Sequence, residues 1–489
     1  MPYRTAPLLM LLSLGCATSP APGPPSEPDS GLTDSGLTLT GATTSSGAST
    51  TQADLCVGAG IHPIEQAAFA YTSLDAGDQA GNTLANLQDI SGDGVDDLIV
   101  GSDNAGHVWI LHGKANLSSA ALPNQAAAVL DGEPGGTAGS SLSAAGDLDG
   151  DGLGDFWVGD PFLDGGRGGA YLISGGSVTG SDRLENLAIA RVLGDIGQQA
   201  GRVQHLGDIT GDGVSDVAIG GDPHDEYRGV VHIFAGPFTG ELDPSSAYAT
   251  ITGVQPGDRM SRPVSPGDLD GDGFAELVIA AQEADQRSGK AYLFAGPLTQ
   301  GTLTADDADA TISGQSGELL GHALAGPGDL TGDGLDDFVI GAPYADNKAG
   351  RTYIFSGLPS GQITASTAAH TTVFGESGGD RSGYSVAKAG DLNGDGHLDL
   401  QIGAKFEASQ GLNAGALYLV SGPLAPGELR LDATGYSEKF VAQGPLDLLG
   451  RSTAGGDFNA DGRPDVLVGA KMFSGAAPDA GVAYVITCQ

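Results

Sequence analysis

The sequence predicts an all-β fold, a seven-bladed β-propeller of four-stranded blades, and three observations carry that prediction. An acidic nonapeptide recurs seven times, beginning at Asp89, Asp147, Asp208, Asp268, Asp329, Asp391 and Asp457, with spacings of 58, 61, 60, 61, 62 and 66 residues. Such a period marks an array of supersecondary units. Each copy is followed by an apolar run ending in a small residue (DLIVG, DFWVG, DVAIG, ELVIA, DFVIG, DLQIG, DVLVG) and then by a second β-rich run such as HVWILHG or KAYLFAG. The chain is also glycine-rich, 82 of 489 residues. Glycine costs about 1 kcal/mol per helix position, which argues against a helical bundle.

Four strands per unit follow from the runs between the Gly-rich breaks. One leads into each nonapeptide (SLSAAGD, HALAGPGD), two follow it, and a weaker fourth precedes the next unit (AAAVLDG, AYATITG, HTTVFG). The last unit ends at Cys488 after its third strand. An unassigned strand-like run, Ala67–Leu74, precedes the first nonapeptide and is expected to complete blade 7 as its outermost strand.

The N-terminus reads differently. Arg4, the apolar run Ala6–Leu14 and Gly15-Cys16 form a signal peptide over 1–16, too short to span a bilayer. Gly15-Cys16 resembles the end of a bacterial lipobox, which implies lipidation of Cys16 and an exported protein of the bacterial cell envelope, outer-membrane lipoprotein or secreted. Ser13 stands where Leu is usual in that pattern, and plain secretion is the alternative. Residues 17–55, rich in Ser, Thr, Pro and Gly, are expected to be a disordered tether, leaving 56–489 for the propeller. Cys56 and Cys488 flank that array. In an exported protein an isolated pair reads as a disulfide, here joining its two ends; two free thiols is the alternative.

Charge and motif chemistry narrow the function. With 61 Asp and Glu against 21 Lys and Arg, the net charge is −40, which excludes nucleic-acid binding through a basic surface. Oxygen ligands at positions one, three, five and nine of the nonapeptide, with the carbonyl at seven, describe a cage for a hard cation, and Ca2+ fits best. The seven sets are Asp89, Ser91, Asp93, Val95, Asp97; Asp147, Asp149, Asp151, Leu153, Asp155; and Asp208, Thr210, Asp212, Val214, Asp216. Then come Asp268, Asp270, Asp272, Phe274, Glu276 and Asp329, Thr331, Asp333, Leu335, Asp337. The last two are Asp391, Asn393, Asp395, His397, Asp399 and Asp457, Asn459, Asp461, Arg463, Asp465. Position six is Gly in all seven, as a sharp turn around an ion requires. Position twelve is apolar (Val158, Ile219, Ile279), so an EF-hand, which needs Glu there, is rejected. Asp149 and Asp270 give cages two and four a fourth carboxylate, and cage two is expected to bind tightest. Up to seven Ca2+ are expected, acting as structural pins.

These cages, the Gly-Ala-Pro at Gly341–Pro343 and the period resemble the FG-GAP repeats of integrin α-subunit propellers over about residues 57–489. The resemblance implies that the cages lie on one face, between first and second strands, and that ligand contact uses the opposite face through second-to-third-strand loops. Those loops hold Phe162, Tyr227, Arg228, Arg287, Tyr344, Lys348 and Phe406, the residue types of interface anchors. Integrin leg domains and a membrane span have no counterpart in this sequence. Recognition or adhesion therefore carries over as an expectation, and integrin signalling does not.

The expected function is a calcium-stabilised, surface-exposed propeller, monomeric, that recognises an extracellular protein ligand and meets a membrane only through its lipid anchor. A glycan-binding lectin is the alternative, with a hydrolase or polysaccharide lyase behind it. Catalytic residues are not expected. Gly375-Glu376-Ser377-Gly378-Gly379 matches the nucleophile-elbow pattern, but GQSGE (314–318) and GEPGG (132–136) repeat its register, so it reads as an inter-blade turn.

Overall fold

A computed structural model describes residues 60–488 except 103, 433 and 434. The expected leader, the lipidated Cys16, the tether and Cys56 lie outside the described residues. The strands form seven separate sheets, one per blade. In blade 1 the order from the centre is Thr83–Gln88, Asp97–Ser102, His107–Leu111 and Ala128–Asp131, all antiparallel. The innermost strands of neighbouring blades contact one another all the way round, including blade 7 with blade 1, so the ring is closed.

Each blade has five strands, not the expected four. The fifth pairs in parallel with the fourth and comes from the next blade's connection between its third and fourth strands. Gly180–Arg183 of blade 2 thus edges blade 1, pairing with Ala128–Asp131. These edge strands are two to four residues long and either polar (GSDR, GQIT, GELR) or as short as Ala120–Ala121, so they carry no apolar alternation that a sequence pattern could register. They cover what would otherwise be an exposed sheet edge.

Closure uses the same device. Gly60–Pro63 pairs in parallel with Glu438–Val441 as the fifth strand of blade 6. One helical turn later, Ala68–Thr72 pairs antiparallel with Val482–Ile486 and completes blade 7. That strand is not the outermost, because Ala120–Ala121 of blade 1 lies outside it. Cys488 is disulfide-bonded.

The core is seven-fold, one apolar cluster between each pair of adjacent blades. The second strand of every blade is buried on both faces, which explains its unbroken apolar run. In blade 2, Phe156 and Val158 pack towards blade 1 while Trp157 packs towards blade 3. The small residue ending each run has a steric cause. A Cβ on Gly159 would sit 2.1 Å from the Gly201 carbonyl oxygen of the next blade, and one on Gly341 would sit 2.1 Å from the Gly383 oxygen.

Candidate metal centres and the opposite face

Each nonapeptide forms the loop between first and second strands, so all seven project from one end of the ring. Position one builds the loop. The Asp89 carboxylate accepts from the N–H of Gly92, Asp93 and Gly94 at 2.6, 3.1 and 2.8 Å. Slight burial acts upward on this carboxyl, and the backbone donors outweigh it and hold it below its ordinary range. Asp208, Asp268, Asp329 and Asp391 repeat the three bonds. Position five accepts from the N–H of position seven, as Asp151 does from Leu153 at 2.8 Å. The Gly at position six has positive φ throughout, from 82° at Gly462 to 94° at Gly273. At position four, Ala460 of the seventh loop takes φ 62° where the other six have Gly.

The structure brings the carboxylates of Asp147, Asp149 and Asp151 within 4.8 Å of one another, and likewise those of Asp268, Asp270 and Asp272. These are the two loops with an acidic third position. Position nine behaves differently. Asp97, Asp155, Asp216, Glu276, Asp337, Asp399 and Asp465 are buried, and their oxygens accept from the loop's own backbone. Asp97 binds the N–H of Ile90 and Ser91, both at 3.0 Å, and on its other oxygen that of Gly113 at 2.9 Å, beyond the third strand. This residue ties loop to blade. Burial pushes Asp216 and Asp337 up to about 6, Glu276 to about 7 and Asp465 to about 8, against the pull of the same N–H donors.

The donors fit a hard cation: all are oxygen, and two buried cage atoms, Thr210 Oγ1 and Glu276 Oε1, have no hydrogen-bond partner. Sequence reasoning passed over position eight. There the backbone N–H of Asp96, Gly154 and Asp336 bonds the position-one carbonyl of the preceding blade's loop, at Asp457 (3.2 Å), Asp89 (3.0 Å) and Asp268 (3.4 Å). The paired acids Asp96-Asp97 and Asp336-Asp337 were the available signal, and the carboxylates of Asp96 and Asp336 also accept the N–H of Asp457 and Asp268.

The second-to-third-strand loops lie at the other end of the ring. The structure gathers four of the seven anchor candidates into one patch. Arg287 and Lys348 lie 5.7 and 5.9 Å from the Tyr344 ring centre, and Arg381 bridges Tyr344 and Phe406 at 4.4 and 4.3 Å. Phe162 stands in blade 2, exposed. Tyr227 and Arg228 stand in blade 3, where Arg228 pairs with Asp225 at 3.1 Å and serves its own loop. Gly375–Gly379 is an inter-blade turn, in which the Ser377 N–H is held by Asp380.

Seven such loops, one on each of seven blades, repeat a recognisable unit. The chain carries FG-GAP repeats. The FG-GAP repeat model matches residues 264–294, 321–355, 382–420 and 449–486, the inner strands of blades 4 to 7. Among similar proteins, integrin alpha pat-2 of Caenorhabditis briggsae is 29% identical over 237 residues, 45% of this chain and 18% of that one. Integrin alpha-4 of Xenopus laevis is 28% identical over 197 residues, 38% of this chain and 18% of its own. Integrin alpha-11 of Homo sapiens is 29% identical over 200 residues, 38% of this chain and 16% of its own. The chain thus spans under a fifth of the length of these relatives. Among its described residues no helix is long and apolar enough to cross a membrane.

Proposed function

We propose that this FG-GAP propeller is a calcium-stabilised recognition module displayed outside the cell, held by a lipid at Cys16 and docking a protein ligand on the face opposite its acidic loops. The observation that carries the calcium reading is the convergence of Asp147, Asp149 and Asp151, and of Asp268, Asp270 and Asp272, in loops whose backbone is already folded by position one. Three carboxylates held this close repel one another, and a divalent cation offsets that repulsion. The other five loops share the donor pattern with one carboxylate fewer. At millimolar Ca2+ and Kd of ~10⁻⁴–10⁻³ M each site adds up to about 1.4 kcal/mol. The ions therefore pin the loops rather than switch the molecule. Recognition is supported by the integrin kinship and by the aromatic and cationic patch around Tyr344.

Two measurements test the reading. Thermal melting with Ca2+ and with chelator should separate by several degrees; coincident curves refute calcium stabilisation. A pulldown from cell-surface extract in Ca2+ should retain a protein partner. Retention of a glycan instead favours a lectin, and release of a shortened glycan favours an enzyme.

A further inference from the structure

The acidic chain gathers cations at one point. Arg202 and Arg262 open the innermost strands of blades 3 and 4, and Arg451 stands third in that of blade 7. His322 immediately precedes the innermost strand of blade 5, and Tyr384 is third in that of blade 6. Lys405 follows the second strand of blade 6. All lie at the end of their strands away from the acidic loops.

The contacts join them across five blades. The Arg262 guanidinium donates to the His322 carbonyl at 3.1 Å, and the His322 and Tyr384 rings are 4.4 Å apart. Lys405 Nζ lies 3.6 Å from the Tyr384 ring centre, and the Arg451 guanidinium lies 5.2 Å from it. Arg202 pairs with Asp222 at 3.1 Å. Arg451 Nε is buried with no hydrogen-bond partner. Burial, then the charge of Arg202, brings Arg262 down to about 9. Burial, then Arg262, Lys405, Arg451 and Arg202, holds His322 well below its ordinary range, so the ring is neutral and its Nδ1 meets Gln282. The Asp222 carboxylate answers Arg202 and Arg262 from within the chain, while the buried Nε donor of Arg451 is left for an acceptor from outside.

Resting on the recognition reading above, we propose that Arg202, Arg262, Arg451 and Lys405 form an anion-binding recess at the centre of the ring that takes a carboxylate side chain from an acidic segment of the protein ligand. Charge complementarity selects the anion. The aromatic rings select a side chain over a sugar. Cations already lie against the rings that a pyranose would stack on, Lys405 and Arg451 against Tyr384, Arg381 against Tyr344, and Arg381 and Lys405 against Phe406. The long-range field of a −40 chain repels polyanions, so the recess acts at contact range, inside a Debye length of about 8 Å at physiological salt.

The test is fluorescence anisotropy on the full chain, in Ca2+ and again in chelator. The probes are a labelled ten-residue peptide alternating Glu and Gly, its Gln counterpart and labelled polygalacturonate. The Glu peptide is expected to bind, the Gln peptide not, and Arg262→Gln and Arg451→Gln each to weaken binding at least tenfold. Arg430→Gln, on the edge strand of blade 5, should leave it unchanged. Lys405→Met serves where Arg262→Gln fails to fold. Absence of Glu-peptide binding, equal binding by the Arg262 and Arg451 variants, or polygalacturonate binding without peptide binding overturns the proposal. Calcium dependence is read separately from the melting curves, so loss of that reading leaves this one decided on its own.

Discussion

Replacing Asp151 by Asn removes one charge from the second acidic loop while keeping an oxygen for the Leu153 N–H. Asp147, Asp149 and Asp151 hold carboxylate oxygens within 4.8 Å of one another. Two unit charges at that distance repel by about 0.9 kcal/mol in water, and physiological salt screens this to about half. The substitution deletes two of the three pairs, so it stabilises the ion-free protein by up to about 1 kcal/mol. In Ca2+ the sign reverses, because a charged ligand is lost. At 100-fold excess over Kd a site contributes about 2.7 kcal/mol, most of which should disappear. Urea denaturation of wild type and Asp151→Asn, each with Ca2+ and with chelator, reads both numbers. The curves should cross: the variant less stable in Ca2+ and slightly more stable in chelator. A change of the same sign and size in both conditions would show that Asp151 holds no ion.

Four further outcomes follow from other parts of the ring. Gly341→Ala should cost about 2–3 kcal/mol in urea denaturation, because its Cβ would meet the Gly383 oxygen at 2.1 Å. Gly444→Ala, with nothing within 4 Å, should stay within about 0.5 kcal/mol. Lys439 is buried between Glu376 (2.6 Å) and Glu407 (3.0 Å), so Lys439→Met strands two carboxylates and should lower stability by about 3–5 kcal/mol at pH 7. Burial, then repulsion from Glu407, pushes Asp380 up to about 6. A carboxyl raised in the folded state binds its proton more tightly there, so it penalises folding at pH 7 and the penalty fades as pH falls through 6 towards the unfolded value near 4. Asp380→Asn should therefore be more stable than wild type by about 1–2 kcal/mol at pH 7 and equal to it below pH 4, by urea denaturation at both values.

Much of this molecule is legible in its residues because the pattern is local and repeated. The Gly at position six sits where only a positive φ closes the loop, so its sevenfold recurrence marked the turn. The unbroken apolar run after each loop marked a strand, which the structure buries on both faces, and the missing fourth strand of the last unit pointed to Ala67–Leu74, where the strand is Ala68–Thr72. The edge strands escaped notice because parallel pairing at a sheet margin asks little of side chains: Gly180–Arg183 needs only a Gly to turn on and backbone to offer. Position nine, expected as a ligand, has a second task that the motif alone did not show. Its burial against Gly113, Gly175 and Gly422 depends on the end of a strand some 16 to 23 residues away.

The sequence by itself determined the number of blades, the turn in each acidic loop and the blade in which the ring closes, since each is written within one period of about 60 residues. The tertiary structure alone decided what the periods do together. Arg202, Arg262, Tyr384 and Arg451 are spread over some 250 residues, each an unremarked residue at the start of its own strand. Closing the ring directs the same end of every innermost strand towards one centre, so charges dilute along the chain become concentrated in space.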